Sequence, residues 1–184
     1  MKKILLTIIT TLSTISIYAE NMSYSENQPL YFNLNTGIGT GYTFTNPGND
    51  GNQKSGAPSN NYSLGANIGY KFNEYVAAEI GYNHLWLAKT YANTGGQVGV
   101  EDIAARGTLP LGDIFSLYGR LGVGGYQNMG GSDNSGTNFA HNIGVLYGAG
   151  AQWALSRNLA LRLEDWSVTG FGQNIIQAGV EFSF

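Results

Sequence analysis

Residues 115–124, FSLYGRLGVG, alternate between two kinds of side chain, and this alternation decides the fold. Phenylalanine, leucine and valine lie on one face of the extended chain, whereas serine, tyrosine, arginine and glycine lie on the other. A repeat of two residues is typical of a β-strand with one apolar and one polar face. The stretch follows a tight turn at 110–113, so we expect it to form a hairpin with the residues before that turn.

The same alternation extends outward in both directions and gives eight runs along the chain. The predicted strands cover residues 30–44, 62–72, 76–83, 97–109, 115–124, 138–154, 159–166 and 176–184. Short turns near 73, 112 and 156 alternate strictly with long polar loops at 45–61, 86–96 and 127–137. No stretch shows a helical repeat, and the sequence therefore predicts an all-β, eight-stranded antiparallel up-and-down barrel.

Composition narrows the class of protein. The 184 residues suit one domain, and only 11% are charged, against about 25% in typical soluble domains. Twenty-seven of the residues are glycine. The net charge of −3 argues against a basic surface that would bind nucleic acid. The absence of cysteine excludes disulfides, thiolate metal sites and cysteine nucleophiles. A chain poor in charge and rich in glycine and tyrosine is typical of a β-rich membrane protein.

The first residues form an export signal in this interpretation. Lys2 and Lys3 precede an apolar stretch at 4–17, and Ala19 supplies a small residue for cleavage before Glu20. The alternative is an anchor helix, but the stretch falls short of the roughly 20 residues that span a bilayer. We therefore expect a signal peptide at 1–19, a flexible lead-in at 20–29 and the barrel at 30–184.

The polar face of the predicted strands indicates which side of the barrel faces water. It carries most of the strand glycines and eight charged residues, four basic and four acidic. These are Lys71, Glu79, Asp102, Arg106, Arg120, Arg162, Glu164 and Glu181. A soluble lipocalin-like barrel would turn this face outward, whereas an outer-membrane barrel turns it inward. An eight-stranded interior is filled by side chains, and buried charges need partners, so glycine spacing and equal charge favour the transmembrane arrangement.

The apolar face carries aromatic residues near both ends of the strands, as expected for interfacial girdles. Phe72, Tyr75, Phe115, Trp153 and Phe184 lie near the short turns, and Tyr42, Phe44, Trp86 and Tyr126 lie near the long loops. Ordinary β-propensity of aromatic residues is the alternative explanation for any one of them. Asp165 falls in the lipid-facing phase, and we expect it near the outer rim.

Four segments in order resemble the OmpA-like transmembrane domain family of Gram-negative outer membranes. They are residues 76–82 (VAAEIGY), 105–110 (ARGTLP), 117–122 (LYGRLG) and 160–164 (ALRLE). The resemblance implies that Glu79, Arg106 and Arg162 belong to an interior salt-bridge network that blocks a continuous water path. Such a network can act as a switchable gate or as structural filling. Gln152 replaces an expected carboxylate, which removes an alternative partner for Arg162.

The resemblance also bears on assembly and on the cell wall. Terminal Phe184, with Phe182 and Val180, matches the signal that the barrel-assembly machinery reads. Many family members continue into a peptidoglycan-binding domain, whereas this sequence ends at the barrel, so we expect no tethering to the cell wall.

Candidate chemistry is sparse. A barrel enzyme that modifies lipid A needs a nucleophile, a base and an orienting group at the rim. His84 and His141 lie near the long loops, but neither has a serine two residues later. Asp50 and Asp133 show no metal-ligand spacing, and the glycines at 37 and 39 precede no helix, so neither a metal nor a nucleotide is expected.

The expected function is that of a structural outer-membrane barrel, porin-like with a narrow or closed pore. The alternative is a surface adhesin or receptor that acts through its long loops, whereas a lipid A-modifying enzyme is disfavoured. Expected partners are outer-membrane lipid, lipopolysaccharide, the assembly machinery, and host-surface or phage contacts. We expect a monomer without a cofactor in the outer membrane of a Gram-negative bacterium.

Overall fold

The computed structural model describes residues 28–40, 61–87, 96–128, 142–171 and 173–184. They form eight strands: β1 Leu30–Thr40, β2 Asn61–Lys71, β3 Val76–Leu87, β4 Gly96–Pro110, β5 Phe115–Asn128, β6 Asn142–Ala154, β7 Leu159–Val168 and β8 Asn174–Ser183. No helix among these described ranges is long and apolar enough to cross a membrane. The predicted signal peptide at 1–19 and most of the lead-in at 20–29 lie outside the described residues, as do Tyr42, Phe44, Asp50, Asp133 and His141.

Each strand pairs antiparallel with the next, and the last strand returns to the first. The closing pair runs from Tyr31 opposite Ser183 to Thr40 opposite Asn174. Main-chain hydrogen bonding therefore continues around the whole wall, and no strand is left with an unpaired edge. The predicted eight-stranded up-and-down barrel is confirmed.

Three tight turns join the strands at one end, which we call the short-turn end. The hydrogen bonds that close these turns join the amides of Phe72, Leu111 and Leu155 to the carbonyls of Val76, Phe115 and Leu159. At the opposite end, which we call the long-loop end, several strands extend beyond their predicted limits. β3 reaches Leu87 and β5 reaches Asn128, because main-chain pairing continues there despite the polar side chains.

The two faces of the wall differ as the alternation requires. Outward positions such as Ile80, Leu121 and Leu163 expose more than half of their surface, whereas the charged inward positions other than Lys71 are buried. The outward face is thus an apolar band suited to lipid.

Tyr126 corrects one part of the girdle prediction. It lies in the inward phase of β5, opposite the fully buried Val100, and packs against the buried apolar cluster. The period of two places Phe115 and Val123 outward, and Tyr126 falls on the other parity. It is therefore a residue of the inner rim and not of the lipid-facing girdle.

Candidate functional site

The inward phases of β2, β3, β4, β5, β7 and β8 bring all eight predicted charged residues into one connected group, which we call the charge network. Nine ion pairs link its members. Seven of the eight residues are at most 4% exposed, and Lys71 at the short-turn end is the exception. The network is neutral, because it holds four cations and four carboxylates.

Glycine provides the space that these long side chains fill. Glu79 stands opposite Gly69, and Arg120 stands opposite Gly148. Glu164 and Arg162 likewise face Gly150 and Gly179 across neighbouring strand pairs. An eight-stranded barrel has no room for two long inward side chains at each such position.

Glu79 on β3 is the centre of the network. Its Oε1 lies 2.9 Å from Nη1 of Arg162 and 3.3 Å from Nη1 of Arg106, and its Oε2 lies 2.7 Å from Nε of Arg120. The Tyr31 hydroxyl also donates to Oε1 at 2.5 Å. One carboxylate thus contacts three buried guanidinium groups from three different strands, and the other three carboxylates of the network balance the remaining positive charge.

Arg120 carries the network toward the long-loop end. Its Nη2 donates to Asp102 at 2.5 Å, and its Nη1 donates to Glu164 at 2.9 Å. Arg106 stands directly opposite Arg120 across β4 and β5, a placement that repels unless carboxylates surround both groups. The bonds of Arg120 to Asp102 and Glu164, and those of Arg106 to Glu79 and Glu181, supply that compensation.

Glu181 carries the network toward the short-turn end. Its carboxylate lies 2.9 Å from Arg106, 3.5 Å from Arg162 and 3.0 Å from Lys71. Lys71 also donates to the Ser183 hydroxyl at 2.8 Å. Gln152 donates an amide hydrogen bond to Glu181 at 3.3 Å, so in this chain it binds a carboxylate instead of supplying one to Arg162.

Two tyrosines belong to the site although the candidate residues from the sequence did not include them. Tyr118 donates to Glu164 at 3.1 Å and accepts from Nε of Arg162 at 3.2 Å. The guanidinium of Arg106 lies 4.8 Å from the Tyr31 ring centre and 5.5 Å from that of Tyr118. The sequence did indicate their position, because both tyrosines occupy the polar phase of their strands. Aromatic residues are also common in strands for their β-propensity alone, so this position did not identify them as part of a site.

A cavity of about 380 Å³ opens at the short-turn end, below the network. Lys71, Arg106, Gln152 and Glu181 are among the residues that line it. Water can reach the network from this side, and the network itself fills the barrel above. What the arrangement offers chemically is an electrically neutral plug rather than a nucleophile and base.

The other predicted site residues occupy separate places. Phe72, Tyr75 and Phe184 are exposed at the short-turn end, and the Phe115 and Trp153 rings meet edge to face at 6.1 Å. Trp86 is exposed near the long-loop end, where its ring centre lies 4.4 Å from that of His84. In the terminal strand, Val180 pairs with Leu34 of β1 and Phe182 pairs with Phe32, so the predicted assembly signal forms the barrel seam.

His84 and Asp165 are among the polar residues of the outward face. His84 lies in the lipid-facing phase of β3, opposite Leu64 of β2. Its ring contacts that of Trp86, away from the charge network. Asp165 is exposed on β7, three residues before the strand ends at Val168 on the long-loop side, and the rim position expected for it stays a prediction. Within the described ranges no three His, Cys, Asp or Glu side chains are placed to hold a metal ion.

Sequence comparisons agree with this architecture. The family model described as OmpA-like transmembrane domain matches residues 31–180. Outer membrane protein A of Klebsiella pneumoniae is 30% identical over 140 residues, which cover 67% of this chain and 39% of that protein. Outer membrane protein A of Serratia marcescens is 33% identical over 119 residues, covering 59% of this chain and 32% of that protein. The chain thus spans about two fifths or less of the length of these relatives.

Solved structures share the fold at low sequence identity. Neisserial surface protein A has a TM-score of 0.61 at 16% identity, covering 84% of this chain and 97% of the other. Ail, the attachment invasion locus protein of Yersinia pestis, has a TM-score of 0.56 at 15% identity in a complex with the heparin analogue sucrose octasulfate; 85% of this chain and 99% of Ail are covered. The N-terminal barrel of Pseudomonas aeruginosa OprF has a TM-score of 0.54 at 15% identity, covering 85% and 98%.

Proposed function

The chain belongs to the OmpA-like transmembrane domain family of the Gram-negative outer membrane, and from that premise we propose that it is a structural barrel with a closed or narrow pore. The observation that carries this proposal is the charge network. Its eight residues are joined across the lumen by nine ion pairs, and seven of them are at most 4% exposed. Separating such groups leaves buried charges unpaired, so the closed state is strongly favoured.

Solute uptake into vesicles tests the proposal. The purified, refolded protein is inserted into liposomes, which are then placed in small sugars and amino acids while swelling is followed by light scattering. We expect swelling no faster than in protein-free liposomes, because the network occupies the lumen. Swelling at the rate that a general porin produces would show an open water-filled channel and refute the proposal.

A surface adhesin or receptor is the second candidate function. Strands β1, β3 and β5 end at the long-loop end, and the residues that follow them in the sequence (41–60, 88–95 and 129–141) are the candidate extracellular loops. Likeness to Ail, named for attachment and invasion, adds a reason to test host-surface binding or phage adsorption. Cells that display the intact chain should bind host cells more than cells that display a variant with the three connections shortened. Equal binding by both removes this candidate.

The remaining partners follow from the outward face. We propose that this apolar band contacts lipid and lipopolysaccharide as a monomer, and that the terminal strand is read by the barrel-assembly machinery.

We also propose that the chain has no enzymatic role. His84 contacts Trp86 on the outward face and lies apart from the network, and among the described residues no carboxylate forms a hydrogen bond or ion pair with it, as an orienting group for a catalytic base would. A lipid-modifying activity that disappears in His84→Ala would contradict this.

A further inference from the structure

A buried apolar cluster fills the barrel on the long-loop side of the charge network. Its members come from β3, β4, β6, β7 and β8, and each is at most 4% exposed. They are Leu85, Val98, Val100, Ala104, Leu146, Trp166, Val168 and Ile175, with Tyr126 and Phe171 packed against them. Ala104 lies on β4 between Asp102 and Arg106, at the level of the charge network, and we call the other members the apolar layer. The alternation placed Trp166 on the inward face with the charged residues and glycines, but it did not predict that a set of apolar side chains would gather there.

The order of residues along each strand separates the layer from the network. On β7 the network residues Arg162 and Glu164 come first from the short-turn end, and Trp166 and Val168 follow. On β3 the same order runs from Glu79 to Leu85. β4 and β8 repeat this arrangement, with Val100 and Ile175 farther toward the long-loop end than Asp102 and Glu181. A path through the barrel therefore meets the two sets one after the other.

The sector formed by β1 and β2 contributes no side chain to the layer. Inward glycines of β1 instead lie close to buried polar side chains: a Cβ atom added to Gly37 would lie 2.7 Å from Cβ of Gln177. A Cβ atom added to Gly39 would lie 2.8 Å from Oε1 of Gln173. Both glutamines are buried. On this side of the barrel the buried residues beside the layer are therefore polar, and they include Asn35 and Ser63 as well as these glutamines.

The turn between β7 and β8 covers the layer. The Tyr126 hydroxyl donates to the carbonyl of Gly170 at 2.8 Å, and the Phe171 ring centre lies 5.0 Å from that of Tyr126. Gly170 has φ of 84°, a left-handed conformation that suits glycine. The Thr169 hydroxyl accepts from the amide of Val145 at 2.8 Å, which ties the turn to β6.

We propose that the apolar layer is a second barrier to ions, in series with the charge network and independent of it. This inference rests on the proposed function of a closed barrel. Hydrophobic constrictions exclude ions by excluding the water that would hydrate them, and a charge moved into an apolar region without a partner is strongly disfavoured. Opening the network alone therefore leaves the barrel closed, and conduction requires that both barriers be breached.

Planar-bilayer recordings of four forms test the series arrangement. The network form carries Arg162→Gln with Glu164→Gln, which removes one cation and one anion and keeps the interior neutral. The layer form carries Leu146→Ala with Trp166→Ala. Both pairs together make the third form, and the unaltered chain is the fourth. We expect discrete current steps in the third form and none in the other three.

Several outcomes would overturn the proposal. Current steps of equal size in the network form and the combined form would show that the layer is no barrier. Steps in the layer form alone, or silence in the combined form, would also contradict it. A steady current through the unaltered chain would instead refute the proposed function, so the two failures are distinguishable.

A second pair of variants keeps the test valid if the truncated side chains impair folding. Val100→Thr with Val168→Thr replaces one methyl group of each side chain by a hydroxyl, so the layer gains polar groups that favour water while the shape of its side chains is kept; each buried hydroxyl without a partner costs some stability. Each form is first shown to be folded by its faster migration on an unboiled gel. Combined with the network pair, the threonine pair should give current steps, and silence from a folded combination would overturn the proposal.

Discussion

Glu79 shows how much of this barrel depends on one side chain. A lone carboxylate in the interior would be costly, yet Glu79 faces three guanidinium groups and the Tyr31 hydroxyl. Its removal takes one contact from each of Arg106, Arg120 and Arg162, all of which keep other carboxylate partners, and it leaves the buried interior with one uncompensated positive charge. Buried ion pairs of this kind contribute less through their own attraction than through the penalty of breaking them.

Replacing Glu79 is therefore expected to destabilise the barrel strongly. Glu79→Gln should lower the free energy of unfolding by about 3–5 kcal/mol, the range for breaking a buried ion pair by removing one partner. The measurement is urea-induced unfolding in lipid vesicles, followed by tryptophan fluorescence. Glu101→Gln is the matched control, because Glu101 is an exposed outward carboxylate on β4, and it should change stability by no more than about 0.5 kcal/mol. Equal effects of the two substitutions would contradict the central place of Glu79.

At the scale of the strand, the period of two could be read directly from the sequence, because each strand has one face toward lipid and one toward a packed interior. It predicted the eight strands and placed Glu79, Arg120 and Arg162 on the inward face. The pairing among them could not be predicted, since each arginine reaches carboxylates on several strands and the choice depends on shear and side-chain length. The alternation also did not predict that Leu146 and Trp166 would pack together in an apolar layer. The members of that layer come from five strands, and a pattern along one strand does not show which side chains of other strands it contacts.

Two glycines on neighbouring strands test how tightly the wall is packed. A Cβ atom on Gly122, which faces inward on β5, would lie 2.6 Å from the Cα of Ala104 and closer still to the Ile103 carbonyl. Gly107 faces outward on β4, and a Cβ atom there would meet nothing within 4 Å. Gly122→Ala should lower stability by at least about 1–3 kcal/mol, as overpacking does, whereas Gly107→Ala should be nearly neutral. Urea midpoints of the two variants that coincide would contradict the inward phase of Gly122.

Variants of the last strand can distinguish an effect on assembly in cells from an effect on the stability of the folded barrel. Phe184 and Phe72 are both aromatic, both 61% exposed and both at the short-turn end. If Phe184 is part of an assembly signal, Phe184→Ala should reduce the folded fraction in cells while refolding of the purified protein into detergent stays unchanged. Phe72→Ala removes a similar lipid contact and should leave assembly in cells near the unaltered level. A similar loss in both variants would assign the effect to lipid contact alone.

At the scale of the whole molecule, closure explains why charges and glycines are concentrated on one face. Strand β8 hydrogen-bonds β1, and the amide of Phe184 donates to the carbonyl of Leu30 at 3.0 Å. The wall then separates an apolar exterior from an interior filled by the charge network and the apolar layer. An inverted, soluble barrel with the same strands would bury Ile80, Leu121 and Leu163 and expose the network to water.

The most direct test of this arrangement is the gel mobility of the cell fractions with and without boiling. We expect the protein in the outer-membrane fraction, and we expect the unboiled band to run faster than the boiled one, because a closed, hydrogen-bonded barrel resists detergent. Recovery with the soluble periplasmic proteins, with the same mobility before and after boiling, would contradict it and indicate a barrel whose polar face is turned to water.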